Sequence, residues 1–144
     1  IGRPGHGYAD IADAIQALPP SIRDRVHELG YVEDIQTWLR SAALFAFPSA
    51  FEGFGLPPLE AMAARIPVLA ANGTSLPEIV GDAGLLVDTY NVKAWTAALE
   101  RALTDAKLRA SLIEKGRTRV KSFTWSKAAR EHLAVLESVN QEQA

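Results

Sequence analysis

Two short apolar runs, set between segments of helical period, limit this chain more than any other feature. "ALFAF" (43–47), stopped by Pro48, and "IPVLAA" (66–71) contain no polar residue. A strand with one wet face alternates apolar and polar residues. A continuous apolar run of strand length suits a strand covered on both faces, as in a parallel sheet flanked by helices. The surrounding sequence agrees. Tyr8, Ile11, Ala12 and Ile15 recur at helical spacing as far as Pro19-Pro20, and Asp34 stands where it could cap a helix whose buried stripe is Ile35, Trp38, Leu39 and Ala42. The stretch from Val26 to Leu29, closed by Gly30, and "LLV" (85–87) read as further short strands.

After Asn91, read as a cap, the pattern turns wholly helical. Val92, Trp95, Leu99 and Ala102 form one stripe, and Leu108, Leu112 and Val120 continue it on a second helix that Gly116 is expected to weaken. Thr124 or Ser126 caps a last helix carrying Trp125, Ala129, Leu133 and Leu136, and the polar "NQEQA" is expected to fray. These signals predict an α/β domain over residues 1–144: a Rossmann-like, doubly wound parallel sheet with C-terminal helices.

Composition removes several functional classes. A net charge of −2 argues against a broad nucleic-acid or anionic-membrane footprint, and the absence of cysteine excludes disulfides and thiolate-bound zinc. No apolar run approaches the ~18 residues of a membrane span, and no signal peptide is evident. The chain opens on Ile1 with "IGRPGHG", which reads as a strand end entering a loop. It is therefore expected to be a piece of a longer protein, truncated on its amino-terminal side.

In doubly wound folds ligands sit beyond the carboxyl ends of the strands, where loops enter helices. "FAFPSAFEGFGLPPLEAMA" has that layout: strand, loop with two glycines, then a helix whose first turn accommodates Pro57 and Pro58. Glycine lets backbone approach a ligand, and free N–H groups at a helix start attract anions, a phosphate above all. Glu52 stands before the glycines and Glu60 after them. Carboxylates are strong acceptors for hydroxyl donors, and a sugar and a ribose joined by a diphosphate would present hydroxyls on both sides of that phosphate. A bland reading stands beside this one. Glu60 also suits the positive end of a helix dipole, and a lone Glu or GFG in a loop is commonly just a solvated turn.

The ordered combination carries more weight than its parts. "PSAFEGFGLPPLEAMA", followed by "IPVLAANGTSLPEIVGDAGLLVD", resembles the carboxyl-terminal, donor-binding half of retaining GT-B glycosyltransferases of group 1, whose signature is Glu, seven residues, Glu; Glu52 and Glu60 satisfy it. "GYVEDIQTWLRSAALFAFPS" and "RALTDAKLRASLIEKGRTRVKSFTW" extend the likeness over nearly the whole chain. The resemblance implies that Glu52, the one residue assigned to the catalytic site, contacts hydroxyls of the transferred sugar rather than acting as a nucleophile. It implies that Gly53, Phe54, Gly55 and Leu56 face sugar and diphosphate, that Glu60 holds the nucleoside ribose, and that Tyr31 and Val32 border the base. Thr74 and Ser75 lie in a loop that could approach the phosphates.

The chain departs from the family at three points. The Arg and Lys that grip the diphosphate in relatives have no counterpart, and Arg3 is better read as a loop residue than as a substitute. Arg65 stands where relatives often have Gly, so its turn is expected to be strained although its side chain could satisfy helix carbonyls. The acceptor-binding half of such enzymes has no match in this sequence and is expected to lie outside it. The histidines add little: His6 lies between glycines, and His27 and His132 fall in an expected strand and helix. With no HxxxH pair and no DxD triplet, no metal site and no cofactor are expected, the nucleotide sugar being a substrate.

The reading is thus the donor-binding half of a transferase that moves a sugar from a nucleotide diphosphate sugar to a carbohydrate or lipid-linked acceptor. A non-catalytic nucleotide-sugar binding module and a fragment of a nucleotide-sugar epimerase remain the alternatives. The expected partners are the nucleotide sugar and the missing amino-terminal Rossmann domain, with no nucleic acid and no transmembrane segment. The isolated chain is expected to be inactive and to self-associate. The expected compartment is the cytoplasm, with membrane contact, if any, through the missing domain.

Overall fold

The strand-length apolar runs become strands, and the order of their connections sets where a ligand can sit. The structure, a computed structural model, describes Gly5 and residues 7–142, the last three by backbone alone. Arg3 and His6 lie outside the described residues, as does the end of the "NQEQA" tail. The chain divides into two compact units, Ile1–Ile35 and Gln36–Ala144.

In the first unit, α1 (Tyr8–Gln16) occupies the predicted helical segment and a single turn, α2 (Pro20–Arg23), starts on Pro20 at a position that needs no N–H. The Tyr8 hydroxyl donates to Glu28 Oε1 at 2.7 Å, which raises the phenol's pKa because its neutral form is the donor. The strand expected from Val26 to Leu29 does not form: the segment is irregular up to Gly30, whose φ is 62°. Val26 and Leu29 are three residues apart, a spacing that gives a strand no apolar face, and Val26 is exposed. His27 consequently lies on irregular, exposed chain rather than in a strand.

The second unit holds the sheet. Helix α3 (Ile35–Ser41) leads into β1 (Phe45–Phe47), followed by α4 (Leu56–Ala63), β2 (Val68–Ala71), α5 (Leu76–Val80), a 3-10 turn (Gly81–Ala83) and β3 (Gly84–Val87). The three strands are parallel and in sequential order, with Phe45 beside Val68 and Leu69 beside Leu85. Parallel crossovers are almost always right-handed, a rule that puts α4 and α5 on one face of the sheet. The α/β class and parallel sheet are as the sequence predicts. The central strand β2 is buried throughout, as its unbroken apolar run requires. On β1 only one side is covered: Phe45 and Phe47 are half-buried and stack at 5.7 Å, while Ala46 is exposed. In α3 Leu39 is buried, but Trp38, expected in the same stripe, is 45% exposed.

The helical tail begins with α6 (Val92–Thr104), capped as expected by Asn91, whose Oδ1 accepts from the Ala94 N–H at 3.0 Å. Trp95 and Ala102 are buried, whereas Val92, on the first turn, is exposed. Asp105 ends α6 and caps α7 (Ala106–Arg119), accepting from Leu108 N–H at 2.9 Å. Helix α7 runs unbroken through Gly116. This glycine lies where α7 crosses α4, and a Cβ there would come within 3.1 Å of Met62 Cγ, so its bare backbone permits the close approach. Val120 falls in a 3-10 turn (Val120–Ser122) beyond α7. Thr124, rather than Ser126, caps α8 (Trp125–Glu142), accepting from Lys127 N–H at 3.2 Å. The apolar residues of α8 are all exposed, Trp125 most of all at 87%. His132 lies on this helix, as expected.

Candidate functional site

Parallel strands point all their carboxyl ends the same way, so three loops gather there: residues 48–55 after β1, 72–75 after β2 and 88–91 after β3. They meet around Gly73, where a Cβ would lie 3.8 Å from both the Ala50 carbonyl oxygen and Thr89 Oγ1. The third loop is fixed locally: Asp88 Oδ1 accepts from Tyr90 N–H, and its carbonyl accepts from Trp95 Nε1 at 3.0 Å.

The first loop carries the motif. Ser49 Oγ donates to the Phe51 carbonyl at 3.1 Å, a local bond within the loop. Glu52 is then gripped by its backbone on both sides. Thr74 Oγ1 accepts from its N–H at 3.1 Å, and Ser75 Oγ donates to its carbonyl at 3.0 Å. Thr74 and Ser75, which the sequence placed near phosphates, thus spend hydroxyl contacts on positioning Glu52. Thr74 adopts φ 50° to do so, a left-handed conformation uncommon for a threonine. Gly55 follows at φ 103°, and a Cβ there would meet Leu76 Cδ2 at 3.0 Å, so both conformation and space call for glycine.

Helix α4 starts immediately after, with Gly55 as N-cap and Pro57 and Pro58 in its first turn. Those prolines have no N–H, so the helix start itself offers fewer donors than its position suggests. The donors come from the loop instead. The N–H groups of Gly53, Phe54, Gly55 and Leu56 reach no acceptor among the described residues. Glu60 lies in the second turn of α4 and is exposed. A helix-dipole role fades beyond the first turn, so that bland reading of Glu60 loses force. Neither the Glu52 nor the Glu60 carboxylate is engaged by a hydrogen bond or ion pair among the described residues. The arrangement is a run of uncommitted donors between two uncommitted acceptors.

Glu52, Gly53, Phe54, Gly55, Leu56 and Glu60 therefore share one loop-helix element at the carboxyl end of the sheet. Tyr31 and Val32 belong to the first unit, the tyrosine 68% exposed and the valine half-buried. No three His, Cys, Asp or Glu side chains converge among the described residues. Asp82 is held by Lys115 at 3.0 Å, which lowers its carboxyl pKa through the hydrogen bond and the ammonium charge. A cavity of about 260 Å³ lies toward the amino ends of β1 and β2, lined by Arg65 and Arg109 among others. The Arg109 guanidinium is occupied there by the Ala102 and Leu103 carbonyls at the end of α6. Arg65, in the turn between α4 and β2, has φ 64°, the left-handed geometry expected to strain a non-glycine residue. Backbone N–H groups, not its side chain, satisfy the helix carbonyls: Arg65 N–H donates to Met62 and Ile66 N–H to Ala61.

Two residues at the site escaped sequence reading. Phe54 meets Phe123 edge to face, with ring centroids 6.2 Å apart and planes at 87°. Arg119 lies over the Phe123 ring at 5.3 Å and donates through Nε to the Ile79 carbonyl at 3.1 Å and through Nη2 to that of Glu78. No local spacing signals a contact between residues so far apart in sequence.

Among the described residues no helix is long and apolar enough to cross a membrane. Comparison with known proteins agrees with the architecture. The chain is 44% identical over 102 residues to the O-antigen chain mannosyltransferase B of Escherichia coli, covering 69% of this chain and 27% of that protein. It is 35% identical over 129 residues to the D-inositol 3-phosphate glycosyltransferase of Jonesia denitrificans, covering 88% of this chain and 28% of the relative. The chain thus spans little more than a quarter of the length of these curated relatives. Sucrose-phosphate synthase from Thermosynechococcus elongatus superposes with a TM-score of 0.79 at 28% identity, over 96% of this chain and 35% of that structure. The Anabaena protein HepE in complex with UDP superposes with a TM-score of 0.82 at 23% identity, over 95% and 39%, a likeness of fold alone. The family model described as "Glycosyl transferases group 1" matches residues 14–119, and with a parallel sheet at whose carboxyl end one loop and the helix after it carry Glu52 and Glu60, this chain belongs to that family.

Proposed function

We propose that this chain is the donor-binding half of a retaining glycosyltransferase, which moves a sugar from a nucleotide diphosphate sugar to a carbohydrate or lipid-linked acceptor. One observation carries the reading: four successive N–H groups, Gly53 to Leu56, lie uncommitted between two uncommitted carboxylates. Backbone donors aimed at one place bind a diphosphate without desolvating a side-chain charge. In glycosyl transfer the departing diphosphate gains charge as the anomeric carbon becomes oxocarbenium-like. Pre-placed donors are worth more in that transition state than in the ground state. Glu52, at the entrance of the loop, accepts hydroxyls of the transferred sugar and fixes its orientation. Glu60, beyond the loop, accepts from the ribose. Tyr31 and Val32 are assigned to the base. The names of the relatives, mannosyltransferase and inositol-phosphate glycosyltransferase, support a glycosyl donor.

Calorimetry with uridine, UDP and a UDP- or GDP-sugar tests the assignment. The diphosphate is expected to bind better than the nucleoside, with affinity near millimolar, corresponding to about 4 kcal/mol. Glu60→Ala should weaken every nucleotide, and Glu52→Ala mainly the sugar-bearing ones, each by roughly 1.5–3 kcal/mol for one charged hydrogen bond. Equal binding of nucleoside and diphosphate would overturn the anion site. The same ligand dependence for both variants would overturn the separate roles of the two glutamates.

A further inference from the structure

The glycine loop is gripped from two directions. On one side the residues entering α5 hold it, through Thr74 and Ser75 on the Glu52 backbone and Leu76 against Gly55. On the other side lies Phe54, whose ring is 48% exposed yet set edge-on against Phe123. Edge-to-face pairs favour ring centroids roughly 4.5–7 Å apart, and this pair falls within that range. Phe123 is in turn fixed by Arg119, whose guanidinium covers its ring and is itself anchored on the carbonyls that end α5. A cation at a helix carboxyl end is favoured, and its contact with an aromatic face adds to that. The guanidinium also lies across Gly81, where a Cβ would come within 3.2 Å of Arg119 Cζ. One short helix, α5, thus anchors the loop at both of its own ends.

We infer that Arg119 and Phe123 are positioning residues: through the edge-to-face contact with Phe54 they hold the Gly53–Leu56 donors in the shape that receives a diphosphate. The inference rests on the donor-site reading above for its ligand, and on the ring geometry alone for its mechanical part. Without Phe123 the Phe54 ring has no aromatic partner among the described residues. The glycines on either side of it then leave the loop free to sample shapes in which its N–H groups diverge. Phe123 meets the ligand-facing loop through the Phe54 ring, so its effect on binding is expected to pass through that contact.

The test uses the 144-residue chain with 4-fluorophenylalanine placed at position 54, read by fluorine NMR, alongside calorimetry with UDP, GDP and ADP on the unlabelled chain. In the parent chain the fluorine resonance is expected away from the value of the free amino acid. Phe123→Leu, which keeps an apolar side chain, and Phe123→Ala should both return it toward that value, and Phe123→Tyr should restore the parent shift. The diphosphate that binds the parent chain should bind Phe123→Leu about tenfold more weakly and Phe123→Tyr within twofold, at unchanged circular dichroism. Arg119→Lys should give an intermediate loss, because a lysine cannot cover the ring and reach both carbonyls. A fluorine shift indifferent to residue 123 overturns the strut. A shift that moves while affinity stays within twofold of the parent overturns its positioning role. If the parent chain binds none of the three diphosphates, the donor reading and the positioning of a diphosphate fail together, while the fluorine signal still decides whether the contact holds the loop.

Discussion

Replacing Arg65 by glycine should stabilise the protein, although it deletes an entire side chain. Helix α4 ends in a reciprocal pair of backbone hydrogen bonds, Ile66 N–H to Ala61 at 2.9 Å and Arg65 N–H to Met62 at 3.0 Å. That closure requires a left-handed residue in the middle, and Arg65 supplies it at φ 64°. For a residue with a Cβ the left-handed conformation costs roughly 1–2 kcal/mol, whereas glycine adopts it freely. Glycine gives back part of the gain, roughly 0.5–1 kcal/mol, through the greater freedom of the unfolded chain. The Arg65 side chain is exposed and forms no hydrogen bond or ion pair among the described residues, so little is lost with it. The balance favours Arg65→Gly by about 0–1.5 kcal/mol, or a Tm up to about 5 °C higher for a chain of this size. Arg65→Ala keeps the Cβ and should gain nothing. Urea unfolding monitored by circular dichroism and calorimetric Tm on the three proteins compare them directly. Arg65→Gly no more stable than Arg65→Ala would refute the reasoning, because relief of the left-handed geometry is then no larger than the chain entropy that glycine costs. Thr74 makes a useful contrast. At φ 50° it has the same conformational cost, but glycine there would also remove the hydroxyl that holds the Glu52 N–H. Thr74→Gly is therefore expected to gain less than Arg65→Gly.

Other outcomes are open to measurement. Donor binding should be insensitive to magnesium or EDTA at constant ionic strength; a tenfold loss on chelation would mean that a cation bridges the diphosphate. The chain by itself is expected to self-associate through the exposed apolar side of α8, where Trp125, Leu133 and Leu136 are 87%, 55% and 55% exposed, and light scattering showing a monomer at all concentrations would refute it. It is also expected to give no acceptor-dependent turnover, since it spans 27% of a mannosyltransferase relative, and turnover above background would overturn the view that it holds only half of the site. The Asp82 carboxyl, lowered by its hydrogen bond to Lys115, contributes stability that is present above the ordinary carboxylate range and is lost as pH falls through the lowered folded value. Asp82→Asn should therefore lower Tm slightly at neutral pH and not below that value, a difference that 1 M salt should shrink.

What the sequence disclosed was what neighbours along the chain decide. The runs at 43–47, 66–71 and 85–87 are strands, and Asn91 and Thr124 cap helices, because continuous apolar character and a capping oxygen act within a few residues. Val26–Leu29 misled because two apolar residues were read as a strand without the alternation that gives a strand its buried face. Gly116 misled in the opposite sense: helix propensity counts the glycine as weak, whereas its value lies in Met62, which only the packed structure brings beside it. The motif residues Glu52 to Glu60 were legible through resemblance, and the loop-helix element carries them together. How Glu52 is held, and that Arg119 and Phe123 brace Phe54, depended on hydroxyl and ring contacts spanning tens of residues. Such contacts leave no periodic trace.

The grip on Glu52 has an evolutionary consequence. Its amide and carbonyl are fastened by the two hydroxyls of residues 74 and 75, while its side chain takes no part in holding the loop. Position 52 therefore works as a socket: the mount belongs to the fold and the tool in it can be exchanged. On the proposed donor role, substitutions there would change which hydroxyl pattern is read without first rebuilding the loop, so Asp, Gln or Asn should be accepted at small cost in stability. Positions 74 and 75 are the reverse, because their hydroxyls hold the Glu52 backbone. A saturation library at residue 52 should keep the parent stability in most clones, whereas most substitutions at residue 74 that lack a hydroxyl and keep a Cβ should lower it by roughly 0.5–1.5 kcal/mol. Selection for a new sugar would have its shortest path through the first of these two positions.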